Sequence, residues 1–157
     1  MNNLILSLVA GLGATLAIGV LSYAEVSLTE VVLLMAPFGA TAVLVFGVPS
    51  SPLAQPKNVI IGHFITASIG IAFSQYVDVT PVTLAIATGL GVSAMLITKT
   101  THPPAGANPI LIMASGQGWS FLFTPVLIGA VVIVLVGKGL QLLQNQYLNP
   151  RLNGQKT

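Results

Sequence analysis

Pro37-Phe38-Gly39-Ala40-Thr41-Ala42-Val43-Leu44-Val45-Phe46 is an apolar stretch that opens on a proline. It returns 67 residues later as Pro104-Ala105-Gly106-Ala107-Asn108-Pro109-Ile110-Leu111-Ile112-Met113. The same offset sets Ile61-Gly62 over Ile128-Gly129 without a gap, so the repeat runs on into the segment after each copy. Proline suits the first turn of a helix, where its missing N–H would have had no partner anyway. Each copy therefore reads as a helix beginning near its proline. Gly39 and Gly106 are expected to permit close backbone approach, and Thr41 and Asn108 add a hydroxyl and an amide at equivalent places. The competing reading is that Pro37 and Pro104 only kink continuous helices, neighbouring groups satisfying the freed backbone. The sequence leaves both open.

The rest of the chain gives these copies their setting. Of 157 residues, 54% are hydrophobic and 5% charged, against roughly 25% charged in a soluble domain. Such a chain cannot cover a globule in water, and its eight charges are too few for a nucleic-acid footprint or a charged docking face. Without cysteine there is no disulfide framework and no thiolate metal site. An integral membrane protein remains, with the lipid bilayer as its surroundings.

A crossing takes about 20 apolar residues. Polar punctuation gives stretches at Leu4 to Tyr23, Thr29 to Val48, Asn58 to Tyr76, Val82 to Thr98, Ala105 to Ser115 and Phe121 to Leu143, the second broken by Pro37 and Gly39 and the fifth short. A polar tail, Gln144 to Thr157, follows and is expected to fray. The first stretch has no basic residue ahead of it and is longer than a signal-peptide core, so it is read as a span rather than a cleaved leader. With the N-terminus inside and six crossings, Glu25, Glu30 and Asp78 fall outside, while Lys57, Lys99, Lys138, Arg151 and Lys156 fall on or near the inside, as the bias of basic residues to the cytoplasm requires.

The expected fold is thus an all-α polytopic membrane protein forming one domain over 1–157. It has about six crossing segments in two three-segment repeats, about 4–76 and 81–143, with half-helices starting near Pro37 and Pro104. Three is odd, so the second repeat enters the membrane inverted. Inverted repeats recur in transporters, with the substrate near the midplane where broken helices meet. A helix starting there has unpaired N–H groups at the positive end of its dipole, and two such ends face to face would bind an anion.

Ala36 to His63 (APFGATAVLVFGVPSSPLAQPKNVIIGH) and Thr101 to Pro109 (THPPAGANP) resemble the two signature blocks of the HPP family of integral membrane proteins, whose His-Pro-Pro stands here as His102-Pro103-Pro104. The resemblance extends over most of the chain. Cyanobacterial and chloroplast members are associated with nitrite transport, so it implies a carrier of a small monovalent anion, nitrite first. On that reading the anion is bound by backbone N–H groups around Gly39, Ala40 and Thr41 and around Gly106, Ala107 and Asn108. His102, Lys99 or His63 supplies compensating positive charge.

Each of these has a plainer reading beside it. His102 is a donor or proton carrier, or fixes its turn by bonding a carbonyl. Lys99 faces the site or snorkels at the inner interface. His63 lines the path or bonds a neighbouring hydroxyl. Asp78, Glu25 and Glu30 read as caps or outer-side charges, and Lys57 as a topogenic charge.

A passive anion channel could use the same helix dipoles, and an accessory membrane subunit is a third reading. An enzyme is not expected: HExxH, GxSxG and paired intramembrane carboxylates are missing. Neither cofactor nor metal is expected, nor a nucleic-acid partner. Small residues on the spans and the little bulk available to shield two broken helices point to a homodimer. The simplest location is a bacterial cytoplasmic membrane with both termini inside. Uptake of an anion against a negative-inside potential costs about 2.3 kcal/mol per charge per 100 mV, so it needs a gradient or a co-transported cation, with His102 and His63 as the coupling candidates.

Overall fold

The computed structural model describes residues 3–28 and 31–148, and they contain helices and connecting turns with no strand. Six α-helices follow in order: α1 (Asn3–Ser27), α2 (Pro37–Ala42), α3 (Pro56–Tyr76), α4 (Pro81–Ile97), α5 (Asn108–Ser115) and α6 (Ile128–Leu143). A π-helical turn, Val43–Gly47, extends α2, and a 3-10 turn, Pro103–Ala107, leads into α5. Among the described residues three helices are long and apolar enough to cross a membrane: Asn3–Ser27, Pro56–Tyr76 and Leu122–Gln146. At 1.5 Å per residue the first spans ~37 Å, more than the ~30 Å of a hydrocarbon layer. The run Pro37–Gly47 is about half that thickness by the same rise.

α1 shows why the exterior is lipid-facing. Leu4, Leu8, Leu12, Leu16 and Val20 lie every fourth residue along its exposed side, while Gly13, Ala17 and Leu21 lie every fourth residue along its buried side. Large apolar groups outside, with glycine and alanine among the buried ones, reverse the order of a soluble helix and fit packing between spans in lipid. The same inversion holds for polar groups: Thr41, His63, Thr66, Thr100, His102 and Asn108 are all buried.

The second apolar stretch is not one interrupted helix. Val31 to Met35 is non-helical, and helix begins only at Pro37. Backbone N–H groups left free in that approach need partners inside a membrane. Glu25 supplies them, one carboxylate oxygen accepting from the N–H of Leu33 and of Leu34, both at 2.8 Å. The approach to the second copy, residues 99–102, is also non-helical, and Asn58 Nδ2 donates to the Thr101 carbonyl at 2.9 Å. Both prolines thus start helices, and neither kinks a continuous one.

Residues 67 apart make matching contacts. A Cβ added at Gly62 would stand 2.9 Å from the Thr100 carbonyl oxygen, and one at Gly129 would stand 3.2 Å from that of Leu33. A Cβ at Gly70 would press on the Pro109 backbone at 2.8 Å and touch Ile112 at 3.4 Å, and one at Gly137 would press on Val45, which stands at the offset from Ile112. In each pair both partners shift by the same offset. The helices follow suit: α3 packs on α4 and α5, and α6 packs on α1 and α2. Close approach therefore belongs to Gly62, Gly70, Gly129 and Gly137. It does not belong to Gly39 and Gly106, where an added Cβ meets nothing within 4 Å, contrary to the expectation from their place beside the prolines.

Two smaller expectations also change. The N-cap of α4 is Thr80, whose hydroxyl accepts from the Thr83 N–H while Thr83 Oγ1 accepts from the Thr80 N–H; Asp78 contributes only its carbonyl. The helix of α6 continues as a π-helical segment through Gln144–Leu148, so that part of the polar tail is structured. Glu30, Arg151 and Lys156 lie outside the described residues.

Candidate functional site

The two half-helix starts meet. At the first, the Phe38 and Gly39 N–H groups donate to the Met35 and Ala36 carbonyls at 3.0 and 3.2 Å, so the opening turn is closed on itself. At the second, the Ala105 N–H donates to the His102 carbonyl at 3.0 Å. Neither starting residue, Ala36 or His102, caps its helix with a side chain.

One turn into α2 the Thr41 hydroxyl lies 3.1 Å from the Pro37 carbonyl, 2.9 Å from His63 Nε2 and 3.0 Å from His102 Nε2. His63 sits on the face of α3 that carries Gly62, Thr66 and Gly70, and the glycines let the second half-helix and its approach come close enough to reach it. Asn108, the first residue of α5, places Nδ2 3.0 Å from His63 Nδ1, 3.2 Å from the His63 carbonyl and 3.0 Å from Thr66 Oγ1. Thr66 itself donates to the Gly62 carbonyl at 2.9 Å. The far side of His102 is held too, Nδ1 being 2.8 Å from the Leu53 carbonyl. The imidazole centroids are 5.0 Å apart, and Phe38 meets His63 edge-on at 5.5 Å.

Hydrogen-bonding chemistry fixes the directions. A carbonyl only accepts, so His102 carries its hydrogen on Nδ1 toward Leu53. The His63 carbonyl likewise requires the amide nitrogen of Asn108 on its side, so Nδ2 donates to His63 Nδ1 and the His63 hydrogen is on Nε2, donating to Thr41. With both rings neutral the donors run one way: Asn108 to His63, His63 to Thr41, Thr41 to His102, His102 to Leu53. No charged side chain takes part. Asn108 Oδ1, an acceptor, is buried with no hydrogen-bond partner. Among the described residues no three of His, Asp and Glu gather as a metal site.

Four of the residues singled out from sequence come together here: Thr41, His63, His102 and Asn108. Pro37 and Pro104 are buried beside them and Pro103 is exposed. Gly39, Ala40 and Ala107 are exposed and Gly106 half-buried, at the outer sides of their helices. Lys99 is exposed as well, with a left-handed backbone (φ 55°). It ends α4, its N–H donating to Leu96 and that of Thr100 to Met95, a helix-terminating motif that usually carries glycine at this position. Thr66, Asn58 and the Leu53 carbonyl were not singled out, and Glu25 was read only as a cap or outer-side charge. Thr66 was within reach, since it lies three residues after His63 on one helix face; the others join segments that sequence spacing does not relate.

A family model described as HPP, transmembrane region, matches residues 2–148. Two transmembrane proteins of Dictyostelium discoideum are 37% and 36% identical over 128 residues, in each case 76% of this chain. The match takes in 45% and 41% of their lengths, so the chain spans less than half of these relatives. No solved structure matches. With its apolar helices, buried polar centre and a match over nearly its whole length, the chain belongs to the HPP family of transmembrane proteins.

Proposed function

We propose that this protein carries a small monovalent anion, nitrite first among the candidates, across a membrane through the place where the two half-helices meet. The observation that carries the reading is the buried junction of Thr41, His63, His102 and Asn108, drawn from both copies of the repeat and lying within a lipid-facing helical body. Buried polar groups of this kind between spans mark pathways.

The six segments are read as α1, the Pro37 half-helix with its approach, and α3, followed by α4, the Pro103–Ser115 half-helix with its approach, and α6. Three segments per repeat invert the second. The exchanged contacts Gly62 with Thr100 and Gly129 with Leu33 support a twofold relation between the halves. Alternating access then comes from rocking of one repeat against the other. A homodimer in a bacterial cytoplasmic membrane, with both termini inside, is the expected assembly and setting.

The test is nitrite uptake into liposomes containing the purified protein at clamped membrane potential, with nitrate, formate and chloride as competitors. Empty liposomes give the passive entry of nitrous acid to be subtracted. Saturable, competed uptake is expected. Absence of flux for every anion from folded protein contradicts the reading, and flux without saturation or counterflow points to a channel.

A further inference from the structure

We propose that the Thr41 hydroxyl holds the place of an anion's oxygen between two imidazoles, and that the anion enters this place together with one proton, carried on His102 Nε2. This rests on the anion-carrier reading and specifies its coupling.

The hydrogen-bond inventory leads there. In the neutral network each donor is committed: both Asn108 N–H groups to His63 and Thr66, His63 Nε2–H to Thr41, the Thr41 hydroxyl to His102, and His102 Nδ1–H to Leu53. The buried polar atom left over in the cluster is an acceptor, Asn108 Oδ1. A bare anion arriving here therefore finds no donor. Among the described residues it also finds no fixed positive charge, since Lys57, Lys99 and Lys138 are exposed. Facing His102 are Thr41 from α2, the Leu53 carbonyl from the turn Pro52–Ala54, and Gly62 and His63 from α3. Only His63 among these titrates.

One added proton removes both obstacles with little movement. It binds the lone pair of His102 Nε2, and the Thr41 hydroxyl, which has a second acceptor in the Pro37 carbonyl at 3.1 Å, turns its hydrogen there. Nε2–H groups of His63 and His102 then converge on one point, now occupied by Thr41 Oγ1 at 2.9 and 3.0 Å. An oxygen of a small oxyanion that displaces the hydroxyl from this point receives both bonds, and its single negative charge is balanced by the imidazolium. On release the anion leaves, the proton passes from Nε2 to water on that side, and Thr41 returns to its bond with His102. No covalent bond forms, and no net charge crosses.

The chain has two histidines, so the full-length protein in lipid nanodiscs with isotopically labelled histidine gives a readable nitrogen spectrum, His63 being identified by its contact with the Phe38 ring. Without anion, opposite tautomers are expected, hydrogen on Nε2 of His63 and on Nδ1 of His102. Saturating sodium nitrite at the same pH should convert His102 alone to the doubly protonated ring, with one proton taken up per anion bound by calorimetry in buffers of different ionisation enthalpy. Anion bound with both rings neutral overturns the proposal, as does the same tautomer on both rings. If nitrite flux in liposomes is nevertheless saturable, transport stands and only the coupling falls. If nothing binds and no anion moves, both fall.

Discussion

Thr41 and Asn108, 67 residues apart, hold opposite nitrogens of one imidazole: Thr41 Oγ1 is 2.9 Å from Nε2 of His63, and Asn108 Nδ2 is 3.0 Å from Nδ1. They occupy the same position in the two copies of the repeat, so the ring of α3 is gripped once from each half-helix. Nothing equivalent exists on α6, where Ala130 stands at the offset from His63 and Ile133 at that from Thr66. The glycine contacts recur at the offset and the polar site does not.

Replacing Thr41 by valine keeps the shape and removes the hydroxyl, leaving two imidazole nitrogens without a partner. A buried polar group left unsatisfied costs about 1–3 kcal/mol. Thermal unfolding in detergent should show that loss for Thr41→Val and recover most of it for Thr41→Ser. An unchanged melting temperature in the valine variant contradicts the network.

The glycines divide into two groups that a melting curve separates. Gly62→Ala forces a methyl against the Thr100 carbonyl, Gly129→Ala drives one into the buried Phe38 ring beside the Leu33 carbonyl, and each should destabilise by about 1–3 kcal/mol. Gly39→Ala and Gly106→Ala meet open space and should stay within about 0.5 kcal/mol of the parent. Equal losses at all four positions would mean that the half-helices pack differently.

Much of this was legible beforehand, and the limits have physical causes. Proline at the start of each copy pointed to the half-helices without deciding against a kink, because the first turn of a helix is where its missing N–H has no partner to lose. The fixed offset placed Thr41 and Asn108 as equivalents. What periodicity could not show was the non-helical backbone of residues 31–35, which is as apolar as the helix after it, nor its dependence on Glu25. The expectation of free N–H groups at Gly39 failed for a related reason: the approach bends so that Met35 and Ala36 offer their own carbonyls. Lys99 was ambiguous because its role lies in a backbone angle that sequence does not encode.

Glu25 carries a prediction of its own. Removing its carboxylate by Glu25→Ala frees two N–H groups in the approach to α2, each bond to a charged group contributing about 1.5–3 kcal/mol. Glu25→Gln keeps one acceptor oxygen and should lose less. Amide hydrogen exchange at Leu33 and Leu34 should rise in the alanine variant ahead of exchange in α3; unchanged exchange there would show that other groups hold the approach.

If one proton accompanies each anion, anion affinity depends on pH. Where His102 is neutral in the anion-free protein, apparent affinity should weaken by about tenfold per unit as pH rises, because each binding event must also draw a proton from solution. Titration of nitrite binding across neutral pH measures the slope, and a flat profile means that no proton is linked.

The most direct measurement is nitrite uptake by proteoliposomes of the parent and of His63→Phe, matched for folded protein, with empty liposomes subtracted and the potential clamped. Saturable uptake by the parent, indifferent to the clamped potential and reduced at least tenfold in the phenylalanine variant, which lacks one of the two Nε2–H donors, is the expected result. Equal uptake by both proteins would contradict the placement of the anion at the junction of the two half-helices.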